Sequence, residues 1–254
     1  MIRAASTTAM AISSLLMVLV EGGIGHAVEI KVLSGNGGRA AVSELGARFE
    51  RATGHKVTIR FEVNAALKRK IDAGETFDVA ILNPPVLEDL IKQGKIAAGT
   101  RADIGSAGLG VAVRAGAPKP DISSVEAFKR TLLNAKTVAF PGEGASGVYF
   151  VRLLDRLGIA VAMKPKLKPM PAEDTVEVVA RGDADIVVVI ASRIVDVSGV
   201  DLVGPLPSEL QTTIGIAAGV SATAKEPAAA KALIEFFTAP AAVPVLKAKG
   251  LTPP

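Results

Sequence analysis

An α/β fold is what this 254-residue sequence predicts, and three observations carry that prediction. Strand-like and helix-like patterns alternate from residue 29 to the end of the chain. The strand segments Phe77-Asp78-Val79-Ala80-Ile81-Leu82 and Asp185-Ile186-Val187-Val188-Val189-Ile190 are near-continuous aliphatic runs, the pattern of strands covered on both faces. Glycines follow the helical segments, where a left-handed backbone costs a residue without Cβ little.

Residues 29–33 read as a short strand, followed by the turn Ser34-Gly35-Asn36-Gly37-Gly38. Residues 39–52 read as a helix, with Ala41, Leu45 and Phe49 on one face and Gly54 closing it. Residues 57–63 form a second strand, and Asn64 is placed to cap a helix over 67–73 that ends at Gly74. Residues 77–82 are a third strand, which Asn83-Pro84-Pro85 breaks to start a helix running to Gly94. The second half repeats this grammar. Residues 108–114 are a strand, 125–133 a helix and 137–140 a strand leading into the loop at 141–147. Helices over 148–157 and 172–180 end at Gly158 and Gly182, and a strand follows over 185–190. After a strand over 212–218, helices over 227–237 and 241–249 close the chain.

The first 27 residues carry the marks of a secretory signal. Arg3 supplies the positive start, residues 9–20 an apolar core, and Gly25-His26-Ala27 the small residues a signal peptidase inspects. The apolar run falls short of the roughly 20 residues a membrane span needs. Cleavage is therefore expected before Val28, with a periplasmic product. A lipid anchor is excluded, because the chain has no cysteine. The chain from Val28 onward is long enough for one large domain or two lobes of about 100 residues each.

Composition narrows the function. The net charge of +4 is spread along the chain, which allows at most a mild attraction for anions. Lys164, Lys166 and Lys168 alternate with Pro165 and Leu167 as one solvated face of a strand, and aromatic residues are nearly absent around them. A nucleic-acid surface is not expected. Catalysis has little to work with. Beyond the signal the only histidine is His55, read as an exposed turn residue, and thiolate chemistry is absent. Gly144-Ala145-Ser146-Gly147 approaches a nucleophile elbow, but Val148 replaces its final glycine. The pairs Glu173-Asp174 and Asp183/Asp185 read as a helix start and a turn rather than as metal ligands. No catalytic residue, metal site or cofactor is expected, and the chain is read as a binding protein, not an enzyme.

Gly35-Asn36-Gly37-Gly38-Arg39-Ala40, with Glu62 about 20 residues on, also matches a loose dinucleotide fingerprint. Export to a compartment without a nicotinamide pool, a lone Arg3 instead of a twin-arginine signal, and no acid or base for hydride transfer weigh against it. The physics of the loop needs only an anion. Glycines turn backbone N–H groups toward a ligand, and the helix start adds roughly half a positive charge. Similar turns lie at Asn64, at 142–147 and at 172–175, so one shared anion cleft is expected.

Several motifs together resemble the periplasmic molybdate-binding protein family, the type II solute-binding proteins of ABC importers. They are Leu67-x-x-x-Ile71-x-Ala73-Gly74 before Phe77-Asp78-Val79, then Ser146-Gly147-Val148-Tyr149, Pro171-Ala172-Glu173-Asp174, and Phe236-Phe237-x-x-Pro240-x-Ala242. The resemblance implies a two-lobed periplasmic-binding-protein type II fold with two crossing strands. Lobe 1 would comprise residues 28–108 and 217–254, and lobe 2 residues 109–216. It also implies a monomer that delivers a small anion, molybdate or tungstate by default, to an ABC permease in the inner membrane. The family's ligand positions fall at Gly37, Asn64, Ser146, Thr175 and Ile190, with Asn36, Gly38 and Gly147 in the same turns. Here two hydroxyl donors are lost, at Gly37 and Ile190, and the one at Asn64 becomes an amide. Arg39 and Arg193 stand ready for a small organic carboxylate instead, since arginine grips a planar carboxylate with two parallel hydrogen bonds.

Overall fold

In the computed structural model, which describes residues 26–254, the chain begins with β1 (Glu29–Gly35), α1 (Arg39–Thr53), β2 (Lys56–Glu62) and α2 (Asn64–Asp72). The expected signal segment, residues 1–27, lies outside the described residues except at its last two positions. There follow β3 (Val79–Leu82), α3 (Pro84–Lys92) and the long β4 (Ala102–Arg114). Next come α4 (Val125–Asn134), β5 (Val138–Pro141), α5 (Ala145–Arg156), α6 (Ala160–Met163), β6 (Leu167–Met170), α7 (Glu177–Ala180) and β7 (Ile186–Ile190). The chain ends with β8 (Val200–Pro205), β9 (Thr213–Val220), α8 (Pro227–Thr238) and α9 (Val243–Ala248).

The strands run in the order β2-β1-β3-β9-β4-β7-β5-β6, with β8 beside β4. β4 joins the two halves. Its residues up to Gly108 pair with β9, and those from Leu109 on pair with β7 and β8. Where β4 changes partners, the Gln211 amide takes over. Its Oε1 accepts from Leu109 N–H at 2.8 Å and its Nε2 donates to Leu109 C=O at 2.9 Å. β9 pairs only with β3 and the first part of β4, so the chain's return passage precedes Thr213. Pairing within β1-β2, β1-β3, β5-β6 and β5-β7 is parallel, as connecting helices require.

Period-two alternation divides the apolar residues between two faces. In β3, Val79 and Ile81 join the core beneath α1 and α8, whereas Ala80 and Leu82 pack with Leu67, Leu87 and Leu90 of α2 and α3. In β7, Val187 and Val189 belong to the first core, and Val188 to a second built from Phe128, Phe150 and Leu153. Asp78 ties the first half together, accepting from the N–H groups of Lys31 at 2.8 Å and Lys225 at 2.9 Å.

Several expectations need correction. The sequence pattern does not reveal β8 or α6, and the strand read at residues 164–168 lies instead at Leu167–Met170, as β6. β6 carries Lys168 and Pro169 and lies at the sheet edge, where proline is tolerated and apolar patterning is weak. Lys164 and Lys166 sit in a 3₁₀ turn, and only Lys168 is on a strand. The helix expected over 172–180 is reduced to α7, preceded by turns. β4 begins six residues before the expected Gly108, although Gly105 and Ser106 are weak strand formers. The C-terminal segment supports it there, with Ser106 and Thr252 exchanging both backbone hydrogen bonds, at 2.8 and 2.7 Å. A Cβ on Gly105 would stand 2.8 Å from Thr252 C=O, so the close approach requires glycine. His55 is half-buried rather than exposed, 5.9 Å from Phe49 between ring centroids.

Candidate functional site

Four helices begin at one small cavity. β1 leads through a single 3₁₀ turn, Asn36–Gly38, into α1, and α2 starts directly after β2 at Asn64. α3 starts after Asn83, and α5 starts at the corner Gly144, whose φ of 96° needs glycine. Asn36, Gly37, Val63, Asn64 and Asn83 line the cavity from the first half of the chain, and Pro141, Glu143, Gly144, Ala145, Ser146 and Ala172 from the second. Val189, Ile190, Arg193 and Ile214 complete the wall around about 60 Å³.

The first N–H groups of a helix have no acceptor within it, and they carry the positive end of its dipole. The α5 ladder begins with Val148 N–H on Gly144 C=O, which leaves Ala145 and Ser146 N–H outside it. In α2 the first rung is Ala66 N–H to Val63 C=O, which leaves Asn64 N–H outside. α3 offers no such donors, because Pro84 and Pro85 have no N–H, and contributes the Asn83 side chain instead. The convergence suits an anion.

Two arginines supply full charges. Arg193 is 10 % exposed at its side chain; its Nη2 donates to Ala172 C=O at 3.2 Å and lies 3.5 Å from Glu177. Arg39 donates from Nη2 to Asn36 Oδ1 at 2.7 Å, and its guanidinium lies 4.4 Å above the centre of the Phe61 ring. The Nε–H of each arginine is buried without a partner among the described residues. Burial pushes the Arg39 pKa below the ordinary arginine value, and the like charge of Arg193 adds to the effect against the pull of Glu173 and Glu177. An unpaired buried donor is costly.

Of the residues singled out in the sequence, Asn36, Gly37, Asn64, Ser146, Ile190 and Arg193 share the inner cavity. Arg39 lines a wider adjoining cavity of about 820 Å³. The other three stand behind the wall. Gly38 packs on Val42 and Ile216, where a Cβ would come within 3.3 Å of both. Gly147 lies so close to β5 that a Cβ would fall 1.8 Å from Pro141 C=O. Thr175 is fully buried and donates to Pro171 C=O at 2.7 Å. Asn64 is not a cap as expected: it is the first residue of α2, and its Oδ1 accepts from Asn83 N–H at 2.9 Å. Its Nδ2 also donates to Asn83 Oδ1 at 3.3 Å. Ile190 closes one side with an apolar surface, its Cδ1 3.5 Å from where a Gly37 Cβ would lie. Sequence reading missed Asn83 and Glu143. Asn83 had the same signal as Asn64, a polar residue between strand and helix, and Glu143 stood unremarked in the glycine loop.

A model of the bacterial extracellular solute-binding protein family matches residues 30–252. The chain belongs to that family. This solute-binding protein is 33 % identical over 230 residues to an aconitate isomerase of Pseudomonas sp, covering 88 % of this chain and 87 % of that one. It is 26 % identical over 231 residues to a molybdate-binding protein of Azotobacter vinelandii, covering 89 % and 90 %. The solved structure of the Azotobacter vinelandii periplasmic molybdate-binding protein superposes with a TM-score of 0.75 at 21 % identity, covering 89 % of this chain and 99 % of that one. The type II solute-binding fold, of the kind used with ABC transporters, is thus established, and the resemblance read in the sequence holds.

Proposed function

We propose that this solute-binding protein acts in the periplasm, captures a small organic carboxylate between its two halves, and presents it to an ABC permease. The observation that carries the ligand class is the pair of guanidinium groups, Arg193 buried and Arg39 half-buried, that line adjoining cavities beside a ring of helix starts. The replacement of hydroxyls at Gly37, Asn64 and Ile190 supports the same reading, since a tetrahedral oxyanion finds fewer donors there. Lobes of residues 28–108 with 217–254, and of 109–216, would close on the ligand about β4 and the passage before β9. Thermal-shift and calorimetric titration with molybdate, sulfate, acetate, succinate and citrate tests the class. A carboxylate at 100 times its Kd should stabilise the protein by about 2.7 kcal/mol. Tight molybdate binding that survives Arg193→Ala would refute the carboxylate reading.

A second reading is an isomerase, favoured by the relative named for aconitate. Glu143 lines both cavities and is an exposed carboxylate beside a cleft otherwise built for anions. It would take a proton from the methylene carbon of an unsaturated acid and return it at the other end of the allylic system, with no net change in composition. Incubation with cis- and trans-aconitate decides this. Interconversion by the native protein but not by Glu143→Gln supports the reading, and no interconversion leaves binding alone.

A further inference from the structure

We propose that the ligand is a di- or tricarboxylate held across two subsites, one carboxylate at Arg193 in the inner cavity and another at Arg39 in the outer one. This rests on the reading of the cleft as a carboxylate site. The inner cavity, about 60 Å³, is the narrower of the two and suits one small anionic group. The outer cavity, about 820 Å³, is far larger than one carboxylate needs. The two share Val63, Glu143 and Ala172 in their linings, so they lie side by side, close enough for one extended acid to reach both.

Each cavity has its own fixed cation. Arg39 lies over the Phe61 ring and donates to Asn36, while Arg193 is anchored to Ala172 C=O and faces Glu177. Both guanidinium groups are thus held in place beside their cavities, which lowers the ordering cost of binding a separate anionic group at each. The two guanidinium groups repel each other, with Glu173 and Glu177 acting in the opposite sense. One carboxylate beside each arginine removes that repulsion more fully than a single charge in the inner cavity. Glu62, Glu143 and Glu173 around the outer cavity penalise surplus charge there, which favours a group aimed at Arg39 over a diffuse anion cloud.

Isothermal titration of the purified, dialysed protein with acetate, succinate, citrate and trans-aconitate tests this, with Arg39→Ala, Arg39→Lys and Arg193→Ala as variants. Citrate or trans-aconitate should bind at least about 100-fold tighter than acetate. Arg39→Ala should weaken the polycarboxylates about 10- to 100-fold and acetate far less, whereas Arg193→Ala weakens every carboxylate. Arg39→Lys should recover part of the loss, which separates lost charge from misfolding. If acetate binds as tightly as citrate, or if Arg39→Ala weakens both alike, the two-subsite proposal falls while the carboxylate reading stands. If none of the four acids binds and molybdate does, the underlying reading falls as well.

Discussion

Asn64 shows how one side chain serves two ends. Its Oδ1 accepts from Asn83 N–H and its Nδ2 donates to Asn83 Oδ1, which joins the starts of α2 and α3 at the cavity wall. Asn64→Ala strips that N–H of its partner in a half-buried place, at a cost of about 1–3 kcal/mol. Each kcal/mol lowers the melting temperature of a chain this size by about 2–4 °C, so calorimetry should register the loss. The same variant should weaken ligand binding, because Asn83 and the α2 start lose their fixed positions. An unchanged melting temperature would show that the cross-link carries no stability. The amide type and its place between strand and helix were legible in the sequence. That it bonds across to a second asparagine 19 residues on, rather than capping its own helix, depends on how β1 and β3 pair.

Elements set the position of the site through close packing. α5 presses its first turn against the end of β5, and only glycine at position 147 allows the approach. Gly147→Ala should push α5 off Pro141 and destabilise the protein by about 1–3 kcal/mol or more, as overpacking does. Because Ser146 and the free N–H groups ride on that turn, affinity should fall together with the melting temperature. A normal melt with normal binding would mean that the turn relaxes freely. β2 and α2 are joined by charge instead. The hydrogen bond from Lys70, and then that from Arg60, hold the Glu62 carboxyl below its ordinary value of 4.5, against the opposing effect of burial. A carboxyl lowered in the folded state stabilises fully above its unfolded value and loses that contribution as pH falls through the folded one. Glu62→Gln should therefore melt lower than the native protein at pH 7, and the gap should close in acid, below pH 4.5. A gap independent of pH would assign the effect to packing. Salt should narrow it, since these side chains are partly exposed.

At the scale of the molecule, β4 carries the organisation: one strand pairs with β9 along its first part and with β7 and β8 along its second. Ser192 adds a tie between the halves, donating from Oγ to Gly37 C=O at 2.6 Å directly behind the cavity. Export is the expectation that sets where this molecule works. The protein recovered from the periplasm should begin within a residue or two of Val28, and intact-mass spectrometry checks it. Recovery of the uncleaved chain in the membrane fraction would contradict it. β1 begins at Glu29, so cleavage there would leave every described strand whole.

The sequence by itself determined the α/β class, the order of most elements and the polar turns at their junctions. These are local properties, written in hydrophobic period, in Pro-Pro and in glycines such as Gly54, whose φ of 76° closes α1. It misplaced β6 and left β8 unseen, because these strands carry lysine, proline and glycine in place of a buried apolar run. Only the tertiary structure decided which turns meet. Gly37 and Ser192 are 155 residues apart, and Arg39 and Arg193 come near enough to repel because sheet order brings the ends of β1, β5 and β7 to one crevice. The chemistry of each residue was legible one position at a time, and the number of polar turns pointed to one shared cleft. Which side chains meet there was not legible, because the distance between two side chains far apart in the chain is fixed by strand pairing and core packing, which no local pattern encodes.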